Sequence, residues 1–384
     1  MKRIELQREA IGKQRMQKLQ RALQANSVDL LILEDREDIT WVCGSGDANI
    51  VLVPANNKEL PMVFTSKKKR FAERTWKGFE VTKNLLIKEA VERYGTVKVA
   101  SDSPGSSFSS RLRDNLEIKV QEGFALFWKV ASIKDSIELG RIKKGASIAE
   151  KLMKFALDNL KTGVMEIDLN DKVMIYGRTL VHEENEKLSL LYPQYTPMVR
   201  GVIEDNPAVK ITFGPNTAEP HALPRCRRLG KNDVVSVCVV PNIDGYWTEL
   251  ELTTLVGRPS SKLVQYNRVK REILNVALET CREGVKACEI DEHVRTALRT
   301  KGLQDKILHP SGHGIGLKLH EPPILGPSNT LADEPLQSGQ VLAVEPGFYF
   351  KGRYGFRDSV TILVKRKTAE VLTGFPSESQ SNSF

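Results

Sequence analysis

The chain has 384 residues, 40% hydrophobic and 27% charged, with a formal net charge of +9. That length exceeds one small domain and suits two, each with apolar residues enough for a core, and no apolar run reaches the ~18 residues of a membrane helix. Apart from Lys67 to Arg70 and the group Arg225, Arg227 and Arg228, the basic residues are dispersed and lack interleaved aromatics, which argues against a nucleic-acid partner and leaves a solvated surface that also suits an anionic substrate.

Apolar residues at Leu6, Ile11, Met16, Leu19 and Leu23 predict a helix over 6–25, broken by Asn26 and Ser27. Strands are expected at Val28–Leu33, Ile50–Val53, Met62–Phe64 and Val97–Ala100, separated by Pro-, Asn- and Lys-rich turns. Helices alternating with short strands predict a small α/β domain over 1–125. A linker is expected at 126–133. A long amphipathic helix follows, marked by Ile137, Ile142, Ala146, Ala149, Met153, Ala156 and Leu160. A second such helix, over 261–283, carries Val269, Ile273, Val276 and Ala277. Each is expected to precede a shorter helix and then β-rich sequence, giving two αα-plus-sheet halves over 134–373. The polar tail at 374–384 is expected to be disordered.

The start, MKRIELQREA, has no apolar stretch of secretory type, so a cytoplasmic location is expected. Five cysteines, an odd number without a CxxC pair, predict reduced thiols.

Three segments carry the chemistry. The first is NTAEPHALP, with Pro220-His221. The second is HPSGHGIGLKLHEPP, from His309 to Pro323. The third is VLAVEPGFYFKGRYGFRDSVTILV, from Val341 to Val364. His313 lies between glycines, where backbone must approach something closely. Glu345 interrupts an apolar strand, and a buried carboxylate there must be paired. Glu249 and Glu251 share a face at period two, and either one is a candidate salt-bridge partner of Arg357.

Together these segments resemble the creatinase, aminopeptidase P and prolidase superfamily, whose Pro-His, GHGxG…HExP and VEPGxY…GxR run in this order. The resemblance covers 134–373. It implies an α+β chain, with a creatinase-type amino-terminal domain followed by a pita-bread domain of two pseudo-symmetric halves. It also implies a homodimer.

The metallopeptidases of that superfamily hold two divalent ions through Asp, Asp, His, Glu and Glu. By resemblance those positions fall on Cys238, Glu249, His313, Glu345 and Ser359. Two are lost outright, so the centre is expected to be dismantled, unless Asp358 replaces Ser359 through a shifted register. The stretch VSVCVVPNIDGYWTELELT resembles creatinase, which acts without metal. That resemblance makes His221 the base and gives Glu251 and Glu345 to substrate. His313, His320, Glu249 and Arg357 then line the pocket. A His base and charge-assisted carboxylates suit a cationic substrate that is already electrophilic. The first expectation is thus a metal-independent hydrolase of a C–N bond in a small cationic or zwitterionic molecule, with no cofactor. The alternatives are an Xaa-Pro aminopeptidase or dipeptidase with one ion at Glu249, His313 and Glu345, a lyase, or a non-catalytic peptide- or protein-binding module.

Overall fold

A computed structural model describes residues 2–44, 46–65, 78–82, 92–95, 98–116, 118–191, 209–327 and 332–375. The chain divides into two compact units, Met1–Ala131 with Ser189–Thr196, and Ser132–Leu188 with Pro197–Phe384. Most of the tail expected to be disordered lies outside the described residues. Among the described residues no helix is long and apolar enough to cross a membrane, and all five cysteines are free.

The first unit contains α1 (Lys2–Ala25), β1 (Leu30–Leu33), α2 (Arg36–Cys43), β2 (Ile50–Pro54), β3 (Met62–Phe64), β4 (Glu80–Thr82), β5 (Val99–Ser101), α3 (Ser107–Leu116), β6 (Val120–Glu122) and α4 (Phe124–Ala131). Its mixed sheet runs β4-β3-β2-β1-β5-β6, with β1 antiparallel to β2 and parallel to β5. Leu30, Ile32, Leu52, Phe64, Val99 and Leu112 form its core. The stretch expected as a linker begins as helix. Its aromatic residues explain this, for Phe127 and Trp128 are buried and the Phe127 ring meets that of Trp41 edge-on at 5.5 Å. Burial of two such rings holds the segment in place.

The second unit opens with α5 (Ser136–Asp158), started by a capping box between Asp135 and Glu138. After it come α6 (Glu166–Leu191), β7 (Val209–Phe213), β8 (Val234–Val239), the hairpin β9 (Asn242–Ile243) and β10 (Tyr246–Trp247), and β11 (Leu250–Leu255). The order then repeats as α7 (Ser261–Thr280), α8 (Ala287–Thr300), β12 (Gly312–Gly314), β13 (Glu321–Leu325), β14 (Val341–Val344), the hairpin β15 (Gly347–Phe350) and β16 (Tyr354–Arg357), β17 (Ser359–Leu363) and β18 (Glu370–Val371). One expectation fails in detail: α6, with 26 residues, is longer than the 23-residue α5. Polar residues in its second half hid its length from the apolar pattern.

The sheet runs β13-β12-β14-β17-β11-β8-β7, and every pairing in it is antiparallel. The two halves meet at β11 and β17, each preceded by its own hairpin. This is the two-fold repeat of a pita-bread domain. Its strands are buried on both faces but differ in chemistry between them. Val209, Ile211, Phe213, Val235, Val237, Leu250, Leu252, Val360 and Ile362 pack in one core with Ile148, Leu152, Ile273 and Val294 of the helices. The alternate residues are polar, and period two places them on the opposite face.

Candidate active site

The polar face builds the site. Across four strands, Lys210 stands opposite Cys238, Cys238 opposite Glu251, and Glu251 opposite Ser359. Glu249 lies just ahead of β11. Its backbone N–H reaches the Thr361 hydroxyl at 3.0 Å, and its carbonyl accepts from the same hydroxyl at 2.8 Å. Thr248 beside it donates to the Ile142 carbonyl of α5 at 3.0 Å. Helix and strand touch there, for a Cβ on Gly145 would come within 2.4 Å of the Thr248 hydroxyl.

His313 is fixed from both sides. A Cβ on Gly312 would meet the Ala343 carbonyl at 2.2 Å, and one on Gly314 the Pro322 carbonyl at 2.4 Å. The His313 Nδ1 lies 2.9 Å from the Gly314 carbonyl, which can only accept, so the proton sits on Nδ1. In the neutral ring Nε2 is then an acceptor. It is buried without a hydrogen-bond partner and faces Glu345 Oε1 at 3.5 Å and Glu249 Oε2 at 3.9 Å. Glu345 is tied to this strand pair by its backbone N–H, which donates to the Ser311 carbonyl at 2.8 Å.

Arg357 organises the other carboxylates. Its Nη2 is 2.5 Å from Glu251 Oε2 and its Nη1 is 3.1 Å from Glu345 Oε2. The remaining Glu251 oxygen accepts from Ser236 at 2.6 Å. Of the two glutamates offered by sequence as its partner, Glu251 is therefore the one that pairs closely. Arg357 Nη2 also donates to the Pro220 carbonyl at 3.2 Å, and Lys210 Nζ donates to the same oxygen at 2.8 Å. Two cations thus anchor the peptide that carries His221. The loop behind it hangs on buried Glu166, which accepts from the backbone N–H groups of Phe213 and Arg225 and from Asn216 Nδ2.

Electrostatics follow from these contacts. Burial pulls the Glu345 carboxyl up, but the neighbouring Arg357 guanidinium outweighs it and holds it down at about 2. Burial opposes Glu251 in the same way, and Arg357 again prevails and lowers it. Glu249 goes the other way, raised by burial and by repulsion from Glu345. The Ser359 hydroxyl lies beside Glu249 without reaching hydrogen-bond geometry. Loss of hydration, then Lys210 and Arg357, lowers His221, whose ring stands at the exposed mouth of the site. The His320 ring lies 4.3 Å from that of His313 and presents an edge to solvent. Lost hydration is the main cause that pushes it down to about 4. Its loop is held by the buried ion pair of Lys134 with Glu321. Burial pushes the Cys238 thiol well up, so it is no nucleophile.

His221, Cys238, Glu249, Glu251, His313, His320, Glu345, Arg357 and Ser359 thus converge on one face. Asp358 does not join them. It is fully buried towards α7, 2.7 Å from Lys270 Nζ, and accepts from the Thr253 N–H at 3.0 Å, so the shifted register is not adopted. His182 and His293 lie exposed on helices. Sequence reasoning passed over Lys210, Ser236, Tyr349 and Glu166. A lysine inside the strand VKITF was a signal for the first. Tyr349 donates to Nε2 of His309 at 2.8 Å, while Nδ1 of that ring faces the Pro310 carbonyl at 2.7 Å.

The fit to a metal can be judged on this donor set. Glu249, His313 and Glu345 each offer a ligand atom within 4.8 Å of the others. The neutral ring presents its Nε2 lone pair beside two carboxylates, and a ligating histidine characteristically donates its other N–H to a carbonyl, as His313 does. The three residues fit one divalent ion.

Comparison with known proteins agrees with the architecture. Residues 140–366 match metallopeptidase family M24, and residues 15–113 match the creatinase/prolidase N-terminal domain. An uncharacterized peptidase of Staphylococcus aureus is 28% identical over 247 residues, which span 64% of this chain and 64% of that protein. The prolidase from Pyrococcus horikoshii superposes with a TM-score of 0.78 at 22% identity, covering 95% of this chain and 99% of that one. The Xaa-Pro dipeptidase from Bacillus anthracis gives 0.79 at 23% identity, covering 95% and 98%. These last two likenesses speak for the fold. With the family match spanning more than half its length, the chain belongs to metallopeptidase family M24.

Proposed function

We propose that the protein is a peptidase acting on small peptides of Xaa-Pro type, with one divalent ion held by Glu249, His313 and Glu345. The observation that carries this is the convergence of one ligand atom each from Glu249, His313 and Glu345, with the His313 Nε2 buried and lacking a hydrogen-bond partner. The names of the structural relatives, a prolidase and an Xaa-Pro dipeptidase, support the substrate class. The metal-independent, creatinase-like expectation is less well supported. It needs Glu251 free to hold a cationic substrate, whereas both its oxygens are engaged by Ser236 and Arg357.

When bound, the ion supplies Lewis-acid polarisation of the scissile carbonyl. The chain's own groups do the rest. His221, lowered by its surroundings, stays neutral at pH 7 and is placed at the mouth to accept a proton and pass it to the leaving nitrogen. His320, held down at about 4, offers a neutral donor or acceptor beside His313. Arg357 keeps Glu345 ionised for the ion, and Glu251 holds Arg357 in position.

The test is hydrolysis of Xaa-Pro dipeptides and of creatine by the purified protein, before and after chelation and readdition of manganese, cobalt or zinc. Cleavage of the dipeptide that is lost to chelator and restored by metal is expected. Cleavage of the guanidinium substrate alone, untouched by chelator, would overturn the reading.

A further inference from the structure

We infer that Arg357 is a built-in cation that closes the Cys238–Glu251 half of this centre to metal. Two groups of candidate ligand atoms adjoin and share Glu249. One is Glu249, His313 and Glu345, and the other is Cys238, Glu249 and Glu251. Their surroundings differ. The first has a buried ring nitrogen with no hydrogen-bond partner. In the second, Ser236 takes one Glu251 oxygen and Arg357 the other.

The same guanidinium reaches Glu345 with its other terminal nitrogen, at 3.1 Å. It therefore joins the outer carboxylates of the two groups, as a bridging ion would. Lys210 stands in the same cross-strand row, opposite Cys238, and adds a second positive charge at this end only. A metal here would have to displace the guanidinium from both carboxylates against two like charges.

The single-ion reading above sets only the baseline of this inference, because the test is a difference in ion count. Manganese or zinc per chain is measured by elemental analysis and titration calorimetry on variants whose fold is checked by circular dichroism. Cys238→Asp alone keeps the wild-type count, because the guanidinium is still in place. Cys238→Asp with Arg357→Met gains one ion per chain. Cys238→Asp with Arg357→Lys, which keeps a cation, and Glu251→Gln both stay at the wild-type count, and they decide the matter if the methionine variant does not fold. An ion gained by Cys238→Asp alone or with Arg357→Lys, an ion lost by Glu251→Gln, or no gain in a folded methionine double variant would overturn the inference. A wild-type count of zero would instead count against the single-ion reading and leave these differences readable.

Discussion

Lys270→Met isolates the question of which way Asp358 faces. Asp358 sits next to Ser359 and is the carboxylate that a shifted strand would offer to the centre. In the structure it points to α7, where its Oδ1 lies 2.7 Å from Lys270 Nζ with both side chains wholly buried. Lys270 also donates to the Thr253 carbonyl. Removing one partner of a buried pair costs about 3–5 kcal/mol. The Thr253 N–H at 3.0 Å and Arg271 at 3.4 Å remain to Asp358, so the lower end, about 3 kcal/mol, is expected. For a unit of about 150–250 residues, where 1 kcal/mol lowers Tm by about 2–4 °C, that is a fall of about 6–12 °C at pH 7. The assay is thermal unfolding followed by circular dichroism, with metal content measured alongside. Burial already raises Asp358, and Lys270 opposes that rise. Without Lys270 the folded pKa climbs further above the unfolded one, so the folded state binds the extra proton. Stability of the variant then recovers as pH falls from 7 towards 5, and the gap to wild type narrows. An unchanged Tm together with a lost ion would place Asp358 in the centre and refute the reasoning.

Gly314→Ala sets a methyl 2.4 Å from the Pro322 carbonyl, a backbone atom that cannot yield. A loss of about 1–3 kcal/mol in urea unfolding and weaker metal binding through His313 are expected, and unchanged values of both would contradict the packing described. His221→Ala should lower kcat about 10²–10⁴-fold with KM little changed; full turnover would remove His221 from the reaction. Lys210 is one cause of the lowered His221 pKa. Lys210→Met therefore raises it, and activity that needs neutral His221 fails at a higher pH on the acid side; an unmoved acid limb would show that Lys210 does not act on His221.

Much of the site was legible because its residues break a pattern. His313 between glycines, Glu345 inside an apolar strand, and Glu249 and Glu251 at period two each announce a polar group that the fold must satisfy. The two halves were legible from paired amphipathic helices. The contacts that decide chemistry were not. Nothing local in the sequence says that Arg357 bridges Glu251 and Glu345, because that geometry depends on β14, β17 and β11 lying side by side. The direction of Asp358 was hidden for the same reason, since only the register of β17 sends it to α7 while Arg357 and Ser359 face the cup. Glu166, far along the chain from His221, holds the His221 loop through backbone N–H groups that leave no trace in composition.

The central claim is that Glu249, His313 and Glu345 hold one divalent ion that the reaction needs. The most direct measurement is metal stoichiometry of the wild-type protein and of His313→Ala, read together with Xaa-Pro cleavage. One ion per chain in the wild type, lost along with cleavage in His313→Ala, is the predicted result. Cleavage that persists in wild-type protein holding no ion would contradict it.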